Sequence, residues 1–119
     1  MRDFKNYDVW HRSHALATDV FAALRRVRRT EFAGLKAQLR DSADSIPATI
    51  VEGCGAATQK EFARFLDMSV KSANETEYHL LVARDRGALP RNDANAFHAE
   101  VIEIRRMLCA LRRQIRSGA

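Results

Sequence analysis

The sequence has few of the residues that usually announce a chemical site. Its 119 residues include two cysteines, two prolines, five glycines and one tryptophan. Cys54 and Cys109 stand apart with no CxxC pair, so they make no zinc site. They read as reduced thiols filling space. No apolar run approaches the ~20 residues needed to span a bilayer. The opening Met1-Arg2-Asp3-Phe4-Lys5-Asn6 lacks the apolar core of a signal peptide. These absences predict a cytoplasmic protein with no membrane contact. Period-two alternation, the mark of a strand, is missing throughout. There is no internal repeat, low-complexity tract or linker, so residues 1–119 read as one domain. Hydrophobic residues make up 46%, too many for disorder and enough for a core.

What is present has a helical period. Phe97, Val101, Ile104, Leu108, Leu111 and Ile115 step by fours and threes, the seam of a helix packed on other helices. Trp10, Ser13, Ala17, Val20, Leu24 and Val27 form a first seam. Leu35, Leu39, Ala43, Ile46, Ile50 and Gly53 form a second. Phe62, Leu66, Ser69, Ala73, Thr76, Leu80 and Ala83 form a third. The small residues in the middle of the third predict a close approach by another helix. Asp8, Thr30 and either Asn92 or Asp93 are expected as N-caps of helices one, two and four. Thr58-Gln59-Lys60-Glu61 is a capping box that starts helix three near Gln59. Gly87 followed by Pro90 stops it. Short connections between helices of ~25 residues predict an all-α, up-down-up-down four-helix bundle.

The net charge is +5, which allows a polyanion partner. The excess sits at the two ends of the sequence. Residues 1–30 carry 7 Lys/Arg against 3 Asp/Glu, and residues 91–119 carry 6 against 3. Residues 31–58 are acidic, with 2 against 4. Arg25, Arg26, Arg28 and Arg29 end helix one, and Arg105, Arg106, Arg112, Arg113 and Arg116 line the second half of helix four. Arginine suits phosphate because its fork binds bidentately and stays charged. The plainer reading is equally physical: cations complement the dipole at a helix C-terminus, and charged faces are commonly just solvated. The two clusters fall at opposite ends of an up-down-up-down bundle. Only oligomer symmetry would gather copies of either end into a ring.

Catalytic chemistry is poorly supported. His11 and His14 are three apart but have no HExxH or carboxylate set beside them. Gly53-Cys54-Gly55 lacks the GK[ST] ending of a phosphate loop and reads as a helix terminator. Glu52 and Glu75 lack a convergent nucleophile, a metal motif and a substrate loop. They read as members of a polar network. In that network Glu52 turns to the free N–H groups of helix three or pairs with Arg64, and Glu75 pairs with Arg40. Gln38, Ser45 and Glu52, seven apart, share one stripe of helix two. Pro47 removes a backbone bond at a cost of ~3 kcal/mol in a helix interior. It divides the segment into two short helices capped by Asp44 or Ser45, or it kinks one continuous helix.

Several of these residues together resemble the four-helix-bundle family called intervening-sequence proteins. Some of its members are encoded within insertions in bacterial 23S ribosomal RNA genes. Tyr7-Asp8-Val9-Trp10 resembles the family's start of helix one. Leu35, Gln38, Arg40, Ser45-Ile46-Pro47-Ala48, Ile50, Glu52 and Gly53 resemble its main signature. Phe62, Phe65-Leu66, Ser72 and Glu75 resemble its helix-three pattern. This chain departs from the pattern at Asp41, Asp44, Thr49 and Lys71, and the two acids weigh against a nucleic-acid contact on that face of helix two. The family is in turn similar to the accessory protein of diversity-generating retroelements, a basic pentameric bundle that binds nucleic acid. The resemblance implies a kinked helix two, a homo-oligomer of the pentamer kind and no enzyme activity; the residues themselves offer no metal motif, and no cofactor is expected. The leading expectation is therefore a non-catalytic, self-associating bundle that binds RNA or DNA through arginine–phosphate contacts. The alternative is a protein-interaction or scaffold module that never touches nucleic acid.

Overall fold

The computed structural model describes residues 2–118. Four helices carry the fold: α1 Asp8–Leu24, α2 Ala33–Cys54, α3 Gln59–Asp85 and α4 Arg91–Arg116. Short 3-10 turns at Phe4–Asn6 and Thr30–Phe32 precede α1 and α2. Each helix packs on its two neighbours, and the backbones of the diagonal pairs α1–α3 and α2–α4 stay more than 8 Å apart between Cα atoms. The result is an antiparallel four-helix bundle of 47 × 20 × 19 Å. The expected seams form its core. Val20, Leu39, Ile46, Ile50, Leu66, Leu80, Val101, Ile104 and Leu108 are fully buried.

Helix boundaries show where local rules held. Thr58 accepts a hydrogen bond from the Glu61 N–H at 3.1 Å and so caps α3 at Gln59, which is the N-cap half of the expected capping box. At the other end of α3, Gly87 adopts a φ of 75°. The Ala88 N–H reaches the Ala83 carbonyl at 2.8 Å and the Gly87 N–H reaches Arg84 at 3.2 Å. This pair of bonds closes the helix, and it needs the left-handed backbone that glycine adopts without strain. The other three caps differ from expectation. Tyr7, Phe32 and Pro90 hold the N-cap positions of α1, α2 and α4, and none makes a side-chain cap bond. Asp8, Asn92 and Asp93 fall inside first turns, and Thr30 opens the 3-10 turn. Acids in a first turn still meet the positive end of the helix dipole.

Pro47 lies buried inside α2, which is continuous through it, so the reading as two short helices fails. Gly53 also lies within α2 and does not terminate it; Gly55 takes the C-cap position.

The α2–α3 contact explains the small residues. Three hydroxyl pairs cross it in antiparallel register. Thr76 Oγ1 donates to Ser42 Oγ at 3.0 Å and Ser72 Oγ donates to Ser45 Oγ at 2.8 Å. The Thr49 and Ser69 hydroxyls hydrogen-bond each other, and Ser69 Oγ also donates to the Ile46 carbonyl at 3.2 Å. Each buried hydroxyl therefore has a partner, which removes the penalty of desolvating it.

Candidate functional site

The structure separates the nine candidate arginines into two kinds. On α4 most face acids of α3. Arg105 Nη1 bonds Glu77 and lies 2.9 Å from Asn74 Oδ1. Arg112 and Arg116 both bind Asp67, at 2.9 and 2.5 Å. Arg106 lies 3.6 Å from Glu103 on its own helix. Arg113 is exposed and in no ion pair among the described residues. The α4 cluster is thus largely a set of clamps between α3 and α4. Asp67 and Glu77, which make the clamps, were not evident in the sequence. Their spacing from the arginines in space depends on helix register, which no single-helix pattern fixes.

Near the C-terminal end of α1 the picture reverses. Arg25, Arg26 and Arg28 are exposed and make no ion pair among the described residues. Arg29 pairs with Glu31 and lies 5.1 Å over the Phe32 ring. The connection is fixed in place: Lys36 Nζ donates to the Val27 carbonyl at 2.7 Å.

Of the signature residues of α2 and α3, Ser45, Pro47, Gly53 and Ser72 take structural places. Ser45 meets Ser72 in the hydroxyl ladder, and Gly53 sits buried against α3. Glu52 and Glu75 are exposed and bond neither Arg64 nor Arg40. Arg40 lies 3.3 Å from Asp41, its own neighbour, and Gln38 is exposed. The reason is geometric. Gly53 occupies the buried position, and the next residue back lies ~100° round the helix. Among the described residues the polar contacts between helices run through hydroxyls, Asp67, Glu77 and the Arg12–Glu100 pair, and Glu52 and Glu75 make no side-chain hydrogen bond.

Three of the four histidines make specific contacts. His11 Nε2 lies 2.7 Å from the Lys5 carbonyl, and His14 stacks on Trp10 with centroids 4.9 Å apart. His98 Nε2 lies 3.1 Å from Glu77 Oε2. No group of three His, Cys, Asp or Glu side chains able to hold a metal occurs among the described residues. Burial pushes the Cys54 thiol above its ordinary range, which disfavours the thiolate.

Glu77 is the carboxylate most changed by the fold. The Arg105 hydrogen bond is the main cause that holds its pKa below the ordinary carboxylate value, with His98 helping. A depressed folded pKa contributes stability above the unfolded value, and that contribution is lost as pH falls through the folded value. Wild-type melting temperature should therefore fall as pH drops below the ordinary carboxylate range. In Glu77→Gln the fall should be shallower, measured by thermal melts across an acid series. Parallel curves for the two proteins would contradict this role for Glu77.

Comparison with known proteins fits this architecture. The family model described as 23S rRNA-intervening sequence protein matches residues 5–110. The chain belongs to this family. A crystal structure from Bacteroides thetaiotaomicron VPI-5482, a protein of unknown function from the S23 ribosomal protein family, is similar to it. That protein is 25% identical and superposes with a TM-score of 0.81, over 87% of this chain and 96% of its own. No curated protein matches the sequence. For this intervening-sequence protein family member, neither comparison indicates catalysis. No helix among the described residues is long and apolar enough to cross a membrane.

Proposed function

We propose that the chain is a non-catalytic, self-associating bundle of the cytoplasm that binds RNA or DNA through arginine–phosphate contacts. The observation that carries this reading is the exposure of Arg25, Arg26 and Arg28 with no ion pair among the described residues. A bidentate donor that no acid occupies is available to a phosphate. Self-association is supported by the placement of the exposed large apolar residues. Phe21 and Val51 border a groove of about 400 Å³ between α1 and α2, floored by Trp10, Ala17, Pro47 and Ala48. Met68 and Tyr78 are exposed singly, ten residues apart on α3. An apolar groove on one chain suits a contact with a second copy, and a head-to-tail contact closes into a ring when the rotation allows. A pentamer is the assembly that the family resemblance implies. The same groove also supports the second reading, a scaffold that binds protein alone.

Two measurements test the proposal together. Light scattering should give a single species heavier than the 13.5 kDa chain. Binding to RNA at low salt should weaken with a negative log–log salt slope, set by about 0.9 per neutralised phosphate on a duplex. No binding at low salt, or a slope near zero, would favour the scaffold.

A further inference from the structure

We infer that the end of the bundle made by the α1–α2 and α3–α4 connections is a single cationic cap that takes a phosphodiester backbone, complete within one copy of the chain. The inference rests on the nucleic-acid reading for the class of ligand, and goes beyond it in the place and the residues.

In sequence the two connections lie some sixty residues apart, and the second shows no arginine run. The fold brings them together. Because α1 runs up and α4 runs down, the C-terminus of α1 and the start of α4 share an end. A cleft of about 370 Å³ lies between them, lined by Arg26, Arg28 and Arg29 on one side and by Gly87, Pro90 and Asp93 on the other. Arg91 follows Pro90 on this second side, and Arg86 lines the neighbouring groove at the same end of the bundle, between α2 and α3, with Glu31, Phe32 and Tyr78. Both arginines are exposed and in no ion pair among the described residues. With Arg25, Arg26 and Arg28 they make five uncommitted guanidinium groups around one end. The acids there are mostly engaged: Glu31 by Arg29, and Asp85 by Arg84 at 2.9 Å. Asp93 is the acid left at the cleft wall.

The support under these cations is rigid. The Lys36 bond to Val27 and the buried Phe32 hold one connection. The Gly87 turn and buried Ala88 and Leu89 hold the other. Binding then orders side chains without ordering backbone, which lowers its entropic cost. Phe32 is buried beneath Arg29, and the one exposed ring near the cap is Tyr78, in the groove beside Arg86. Five guanidinium groups against a single ring make the contacts mainly to backbone, so sequence should matter little. Symmetry adds copies of the cap but is not needed to assemble it.

The test compares Arg25→Gln/Arg26→Gln/Arg28→Gln with Arg86→Gln/Arg91→Gln, each replacing groups outside the ion pairs. Each is titrated against a fluorescein-labelled RNA duplex of about 20 base pairs and a single-stranded oligouridine of about the same length, by anisotropy over a salt series. Both variants should bind both RNAs more weakly, and the salt slope should shrink by about one per lost phosphate contact, with unchanged melting curves. Arg113→Gln, an unpaired arginine at the opposite end of α4, should leave slope and affinity unchanged. If Arg86→Gln/Arg91→Gln binds as wild type, the joint cap is wrong while nucleic-acid binding stands. If wild type fails to bind at low salt, both fall.

Discussion

Replacing Gly53 with Ala should lower the melting temperature, against the usual trend for a glycine inside a helix. Gly to Ala within a helix ordinarily gains about 0.5–1 kcal/mol. Here the added methyl would lie 2.8 Å from Phe65 Cβ and 3.0 Å from Phe62 Cδ1. Phe65 Cβ is fixed to the α3 backbone and cannot rotate away, so the helices themselves must part. Overpacking of this kind costs about 1–3 kcal/mol, and the hydroxyl ladder would open with it. The net expectation is a loss of roughly 1–2 kcal/mol, or a fall of about 4–10 °C for a domain of this size. Gly34 is the control on the same helix. A methyl there meets nothing within 4 Å, so Gly34→Ala should hold or raise the melting temperature. A Gly53→Ala protein that melts higher than wild type would refute the close α2–α3 approach.

The bundle was largely legible from spacing, because threes and fours of apolar residues commit a segment to one buried face. All seven positions of the third seam, Phe62 to Ala83, are buried. The same reasoning foresaw a close helix contact at Ser69, Ala73 and Thr76, although not which hydroxyls would meet. Caps were less legible. Several polar residues near a helix start can serve as a cap, and at α1, α2 and α4 none of them does so. Gly53 looked like a terminator because Cys54 and Gly55 follow it, whereas its bare Cα is needed for α3 to approach. The charge pattern misled most. A run such as Arg112, Arg113 and Arg116 looks the same in sequence whether it is free or bound to Asp67. A register between α3 and α4 decides that, and so does the antiparallel arrangement that brings Arg86 and Arg91 beside Arg26. Neutralising Arg112 and Arg116 would therefore disturb the bundle as well as any polyanion.

Phe62→Ala should be the most damaging single truncation, and it should spare the cationic end. Phe62 is fully buried, with Tyr7 edge-on at 6.0 Å and the Arg2 guanidinium 4.4 Å from its ring centroid. Removing it costs about 3–5 kcal/mol through lost burial and a residual cavity. A domain of this length has a total stability of about 6–18 kcal/mol, and the melting temperature should fall by about 12–25 °C. Phe62→Leu should recover much of this, because most of the volume returns. Along α3, Phe62 is separated from Arg86 by roughly 36 Å at the helical rise of 1.5 Å per residue. That distance exceeds the Debye length of ~10 Å at moderate salt several times over. Below its melting temperature Phe62→Ala should therefore bind RNA with the wild-type salt slope. The arginine variants of the cap should show the opposite pattern, with weaker binding and an unchanged melt. A Phe62→Ala protein that is folded but has lost binding would mean that the ligand contacts the α2–α3 connection, at the other end of the bundle.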